Sequence, residues 1–127
     1  MLGINNAIDL IKKYGENVYS EILMQFIKIS IDTLRKDDIA GHISQDTIAF
    51  MLPETALDNV DIVIERLFAA YEQHKFYSSK KELVEVTFSA VYAKIDESSF
   101  IGGLIDKCVG RISVLKSNNE FQKEMVI

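Results

Sequence analysis

Arg35-Lys36-Asp37-Asp38 sets a guanidinium and a carboxylate three residues apart. A guanidinium is a planar fork that grips a phosphate, or the O6 and N7 edge of guanine, through two parallel hydrogen bonds, which an ammonium cannot match. A carboxylate such as that of Asp38 accepts from donors on the opposite guanine edge. The pair also has a plainer use. An arginine in the last turn of a helix is favoured by the macrodipole, and an aspartate three residues on can simply pair with it. Asp46 stands in Ser44-Gln45-Asp46, where aspartate is a favoured turn former. His42 reads as a partly exposed strand histidine. Cys108 is alone, so no intrachain disulfide can form, and one Cys with two widely spaced His makes no zinc set. It reads as a small buried residue on a helix.

These residues are positioned by elements visible in the hydrophobic pattern. Asn5 or Asn6 caps a short helix carrying Ala7, Ile8 and Ile11, which Gly15 stops. A longer helix runs from about Asn17 to Leu34, with Ile22, Phe26 and Ile29 in a wide apolar stripe. Ile39, Gly41 and Ile43, then Ile48, Phe50 and Leu52, alternate with their neighbours, so two strands flank a turn at Ser44-Gln45-Asp46 and form a β-hairpin. Pro53-Glu54-Thr55 opens a third helix with Leu57, Val60, Ile64, Leu67 and Phe68 on its buried face, fading near His74. Tyr71, Phe76 and Tyr77 form the aromatic edge of a core. Ser78 to Glu82 reads as a polar loop, and Val84, Val86, Phe88 and Ala90 as a strand reaching Lys94. A last helix lies between Phe100 and Lys116, weakened by Gly102, Gly103 and Gly110, and the polar tail after about Ser117 is expected to fray.

A length of 127 residues suits one domain. The net charge of -5 offers no general attraction for nucleic acid, which needs a basic face. No run reaches the 18 or more apolar residues of a membrane span and no signal peptide opens the chain, so a cytoplasmic protein is expected.

With a long amphipathic helix before it and another after it, the hairpin resembles the core of the GGDEF family, the bacterial diguanylate cyclase domain, whose signature loop sits on that hairpin tip. The five signature positions read Ser44-Gln45-Asp46-Thr47-Ile48, and only the aspartate survives. The resemblance implies one domain over residues 1–127. Its fold class would be an α/β (α+β) sandwich, a nucleotidyl-cyclase-like, mostly antiparallel sheet with helices packed on it. It also implies a strand before the first helix, in the middle of the sheet, of which Met1 to Ile4 would be the last residues. Read so, the first strand is truncated, and its neighbours would be left with costly unpaired backbone groups. In the family, a strand aspartate and an acidic loop residue hold two magnesium ions, which demand hard oxygen ligands. Gly3 falls at the strand aspartate, Asp46 at the acidic loop position and Thr47 at the neighbouring glutamate position. The two base-reading positions align with Ile11 and Ser20, and a phosphate-binding helix lysine aligns with Ser113. The expectation is a protein with no catalytic residues, no metal ligands and no cofactor.

Active members of the family carry a second site, where cyclic di-GMP binds and inhibits through an Arg-x-x-Asp motif before the signature loop and an arginine on the next helix. Arg35 and Asp38 match the motif and Arg66 the further arginine, although the chain has only three arginines against eleven lysines. The resemblance therefore implies an inactive GGDEF-like signalling module that receives cyclic di-GMP on Arg35, Asp38 and Arg66 and answers to another signalling domain or protein. The alternative is an interaction or dimerisation domain without a nucleotide, in which Arg66 pairs with Asp61 or Glu65. A homodimer fits either reading.

Overall fold

The computed structural model describes residues 1–96 and 98–126. The elements run β1 (Leu2–Ile4), α1 (Ala7–Tyr14), α2 (Glu16–Thr33), β2 (Ile39–Ser44), β3 (Thr47–Met51), α3 (Leu57–Gln73), β4 (Phe76–Tyr77), β5 (Leu83–Val84), β6 (Phe88–Tyr92), α4 (Ile101–Leu115) and β7 (Gln122–Met125). Five strands form one sheet in the order β2-β3-β1-β6-β7, antiparallel except for the parallel pair β6–β7. The α+β fold class expected from the element order is the one observed.

β1 has three residues and holds the middle of the sheet. Leu2 and Gly3 pair with Ile48 and Thr47 on one side, and Leu2 to Ile4 with Ala90 to Phe88 on the other. The flanking backbone extends the pairing: Ile4 donates to the Asp46 carbonyl, Asn5 to that of Thr87, and Met1 exchanges bonds with Val91 in both directions. The gap expected from a truncated first strand is therefore closed within the chain.

The core lies between the sheet and α2 with α3. Ile4, Ile22, Phe26, Leu67, Tyr71 and Phe88 are almost fully buried there, and the Phe26, Tyr71 and Phe88 rings pack 4.2–5.3 Å apart. Inside it the Tyr71 and Ser30 hydroxyls share a 2.6 Å hydrogen bond, and the Gln25 side chain meets the His74 ring. Residues that increase along α2 thus meet residues that decrease along α3, so the two helices are antiparallel. The other face of the sheet carries α4, whose Cys108 and Ile112 bury against Val91.

Three expectations change. The polar tail does not fray: Gln122–Met125 pairs in parallel with β6, and Phe121 packs on Phe68 and Phe88. The strand expected from Val84 to Lys94 divides into β5, which pairs with β4 across the Ser78–Glu82 turn, and β6. Asn5 is no helix cap. It is buried, and its side chain binds Thr87, Ser89 and the Glu120 carbonyl; Asn6 precedes α1 in a left-handed conformation (φ 51°) with no side-chain capping bond.

Candidate functional site

Two groups of residues lie beside the β2–β3 hairpin. The first is at its tip. Ser44 pairs with Thr47, so the turn is tight, and the Tyr19 hydroxyl on α2 reaches across to donate to the Gln45 carbonyl at 3.1 Å. Burial, with the Asp46 charge nearby, pushes the Tyr19 phenol well above its ordinary value, so it remains a donor. Asp46 Oδ1 accepts from Ser44 Oγ at 2.8 Å, from Thr47 Oγ1 at 2.9 Å and from Lys116 Nζ at 2.9 Å. Lys116 Nζ also donates to Thr47 Oγ1 at 2.9 Å. Burial by itself would raise the Asp46 carboxyl, but the bonds from Lys116, Ser44 and Thr47 and the Lys116 charge outweigh it and hold the group below the usual carboxylate range.

Lys116 comes from the end of α4, and its backbone carbonyl accepts from Asn6, which ties that helix end to the β1–α1 connection. Its stem crosses Gly3. A Cβ on Gly3 would stand 2.5 Å from Lys116 Cδ and 3.2 Å from Thr47 Oγ1, so the glycine is what lets the lysine through. The resemblance looks for a helix lysine at Ser113. Ser113 instead turns back on its own helix to Val109, and the lysine that reaches the loop lies one turn further on. Sequence reasoning missed Lys116 because the glycines of α4 blurred where that helix ends; its signal was a lone cation just before the turn-rich Ser117-Asn118-Asn119.

Magnesium, which the resemblance implies, does not fit these residues. It needs several hard oxygens in a near-octahedral shell. The position of the strand ligand is Gly3, the one carboxylate present has a single oxygen taking three donors, and an ammonium already supplies the positive charge. Ile11, at one base-reading position, packs against the core, and Ser20, at the other, is exposed with no carboxylate or amide to offer.

The second group is at the opposite end of β2. α2 ends at Thr33, Leu34 turns extended, and Arg35 to Asp38 make a tight turn into β2. Asp38 closes that turn. Its Oδ2 accepts from the Arg35 backbone N–H at 2.8 Å while its own N–H donates to the Arg35 carbonyl at 3.1 Å. Asp38 Oδ1 is shielded from water and has no hydrogen-bond partner among the described residues. The Arg35 side chain is exposed and joins no ion pair among the described residues, and the same holds for Arg66 on α3. The carboxylates that could have neutralised Arg66 are engaged elsewhere: Lys123 holds Glu65 at 2.6 Å and Asp61 at 3.6 Å, and Asp61 also accepts from Tyr92. Arg35 lies five residues beyond Ser30, and Arg66 five before Tyr71. Since Ser30 touches Tyr71 and the helices are antiparallel, both arginines lie beyond that contact in the same direction, Arg35 past the end of α2 and Arg66 at the middle of α3. His42 is an exposed strand residue opposite Ile48.

No protein-family model and no curated protein matches this sequence. Solved structures do. The chain superposes on the diguanylate cyclase SiaD of Pseudomonas aeruginosa, crystallised with its activator SiaC, with a TM-score of 0.83 at 15% identity. That match covers 98% of this chain and 48% of SiaD, so the chain spans about half of that protein. The FimX GGDEF domain of P. aeruginosa matches with a TM-score of 0.76 at 12% identity, over 98% of this chain and 76% of the other. The active GGEEF domain of a Vibrio cholerae diguanylate cyclase gives 0.74 at 14% identity, over 96% and 78%. The chain has the fold of a GGDEF domain.

Proposed function

We propose that this protein is a GGDEF-type signalling module without cyclase activity, which receives cyclic di-GMP on Arg35, Asp38 and Arg66. The observation that carries the reading is the state of the two arginines. Surface guanidinium groups readily find carboxylates, and Asp32, Asp37, Asp38, Asp61 and Glu65 all lie within five residues of one or the other in sequence. Yet neither arginine is paired among the described residues, and both lie on the same side of the Ser30–Tyr71 contact between α2 and α3. This argues against the alternative in which ion pairs consume them. Asp38 Oδ1 is an acceptor without a donor, a state that costs about 1–3 kcal/mol and that a guanine N–H edge would relieve.

The absence of catalysis is supported by the hairpin tip. Phosphoryl transfer in this fold relies on a cation held by two carboxylates, and here Lys116 fills the place where the second carboxylate would project. At the base-reading positions Ile11 has no polar group, and the Ser20 hydroxyl cannot supply the two parallel bonds that a carboxylate or amide makes to a guanine edge.

Calorimetric titration of cyclic di-GMP into the full chain tests the receptor. Heat of binding at ligand concentrations of tens of micromolar is expected, lost on Arg35→Ala or Arg66→Ala and kept on Asp46→Asn. No heat from the unmodified chain would sink the reading. Release of pyrophosphate from GTP and magnesium would overturn the inactive part of it.

A further inference from the structure

The two edges of the sheet are built differently. β7, at one edge, is guarded: Lys123 pairs with Glu65 and Asp61, and Glu124 takes a bidentate grip from Arg111 at 2.7 and 2.9 Å. β2, at the other edge, reads Ile39-Ala40-Gly41-His42-Ile43-Ser44, with no carboxylate, lysine or arginine. All six of its residues are exposed, Ile39 at 60% and Ile43 at 41%, and a Cβ on Gly41 would meet no atom within 4 Å. One side of this strand pairs with β3, and the backbone groups on the other side have no strand to bind among the described residues. Natural sheets blunt such edges with charges, prolines, bulges or a covering element, because a bare apolar edge is a template for another strand. β2 has only a register shift between His42 and Ser44, at its hairpin end, and Ile39 to His42 pair regularly with β3.

We infer that β2 is the interface of a homodimer, in which two copies pair antiparallel through this strand about a two-fold axis at Gly41 and join two five-stranded sheets into one. The occupant is a second copy because the strand is complementary to itself. A two-fold at Gly41 sets Ile39 of each copy against Ile43 of its mate. Within one copy Ile39 already faces Met51 across β3, itself 53% exposed. The dimer therefore runs an apolar row Met51, Ile39, Ile43 across the junction twice over. No like charges are brought together, since Arg35 and Lys36 are matched in number by Asp37 and Asp38 at one end of the strand, and Asp46 is neutralised by Lys116 at the other. Glycine at the axis lets the two backbones approach without side chains between them, and closed two-fold pairing leaves no open end on which a fibre could grow.

The inference is independent of any ligand, and sedimentation of the full 127-residue chain tests it. A mass twice that of the monomer is expected at tens of micromolar. Ile39→Lys with Ile43→Lys, both at exposed positions, should weaken the dimer by roughly a hundredfold or more while leaving the circular dichroism spectrum unchanged. Antiparallel partners at the axis have Cα atoms about 4.5–5.5 Å apart, within disulfide reach. Gly41→Cys in a Cys108→Ala background should then cross-link on mild oxidation, and Lys123→Cys at the other edge should not. A monomer at these concentrations, a dimer untouched by the lysine pair, or a Gly41→Cys chain that stays uncrosslinked would each overturn the inference.

Discussion

Lys116 Nζ lies 2.9 Å from Asp46 Oδ1, and both side chains are about four-fifths buried. The pair joins the end of the last helix to the hairpin tip across seventy residues of sequence. Its aspartate carries a depressed pKa, and that sets a sign. A carboxylate held below its unfolded value, about 3.9, stabilises the fold fully above that pH and ceases to do so as pH falls through the lower folded value. Asp46→Asn should therefore lower stability by about 1–3 kcal/mol at pH 7, and the gap between variant and wild type should close below about pH 4. Urea denaturation at several pH values checks it. A gap that stays constant down to pH 3 would show that the charge of Asp46 plays no part.

The same lysine crosses the space that a side chain at position 3 would need, and a paired substitution should separate the two effects. Gly3→Asp alone should bind no divalent cation, because its side chain meets Lys116 within 2.5 Å at the first carbon. Lys116→Ala alone frees Asp46 but supplies no second carboxylate. Together they place two carboxylates at the tip, and a weak site of millimolar affinity is expected, read by manganese relaxation or calorimetry. Metal binding by Gly3→Asp alone would mean that Lys116 does not guard the position.

Much of this arrangement could be read from the residues. The hairpin, the two long helices and the turn at Ser44-Gln45-Asp46 followed from period-two and helical spacing, since those apolar rows are long and end at turn formers. What stayed hidden depended on partners distant in sequence. Gln122–Met125 sets adjacent Lys123 and Glu124 between Gln122 and Met125 and lacks a strand's apolar signature, because each charged side chain is satisfied by another element rather than by burial. Asn5 looks like a cap by type and place, and only β6 and the Glu120 carbonyl reveal it as a core residue. Of the proposed site, residue identities at Arg35, Asp38 and Arg66 were legible, but not that Lys123 draws Glu65 and Asp61 away from Arg66.

Asn5 supports a specific expectation. Its amide donates to Thr87 Oγ1 and to the Glu120 carbonyl, both at 2.8 Å, and accepts from Ser89 Oγ at 2.6 Å, all in the interior beside β1. Asn5→Leu keeps the volume but strands three polar groups, each costing about 1 kcal/mol or more when left unsatisfied. A loss of about 2–4 kcal/mol is expected in denaturant melts, against well under 1 kcal/mol for Ser20→Ala at an exposed position on α2. Equal effects at the two positions would contradict the assignment of Asn5 to the core.

Phe121 decides whether the tail belongs to the folded unit. Its ring sits 5.1 Å from Phe68 and 5.9 Å from Phe88, so it links the segment before β7 to α3 and to the central core. Deleting a half-buried aromatic removes its transfer free energy and leaves a gap, which together cost about 2–4 kcal/mol. Phe121→Ala should lower the unfolding midpoint in a single cooperative transition, because β7 is hydrogen-bonded to β6 along four residue pairs and cannot be released without exposing that strand's edge. A separate early transition, or rapid amide exchange over Gln122–Met125 in the unmodified chain, would instead show that the tail is only loosely attached.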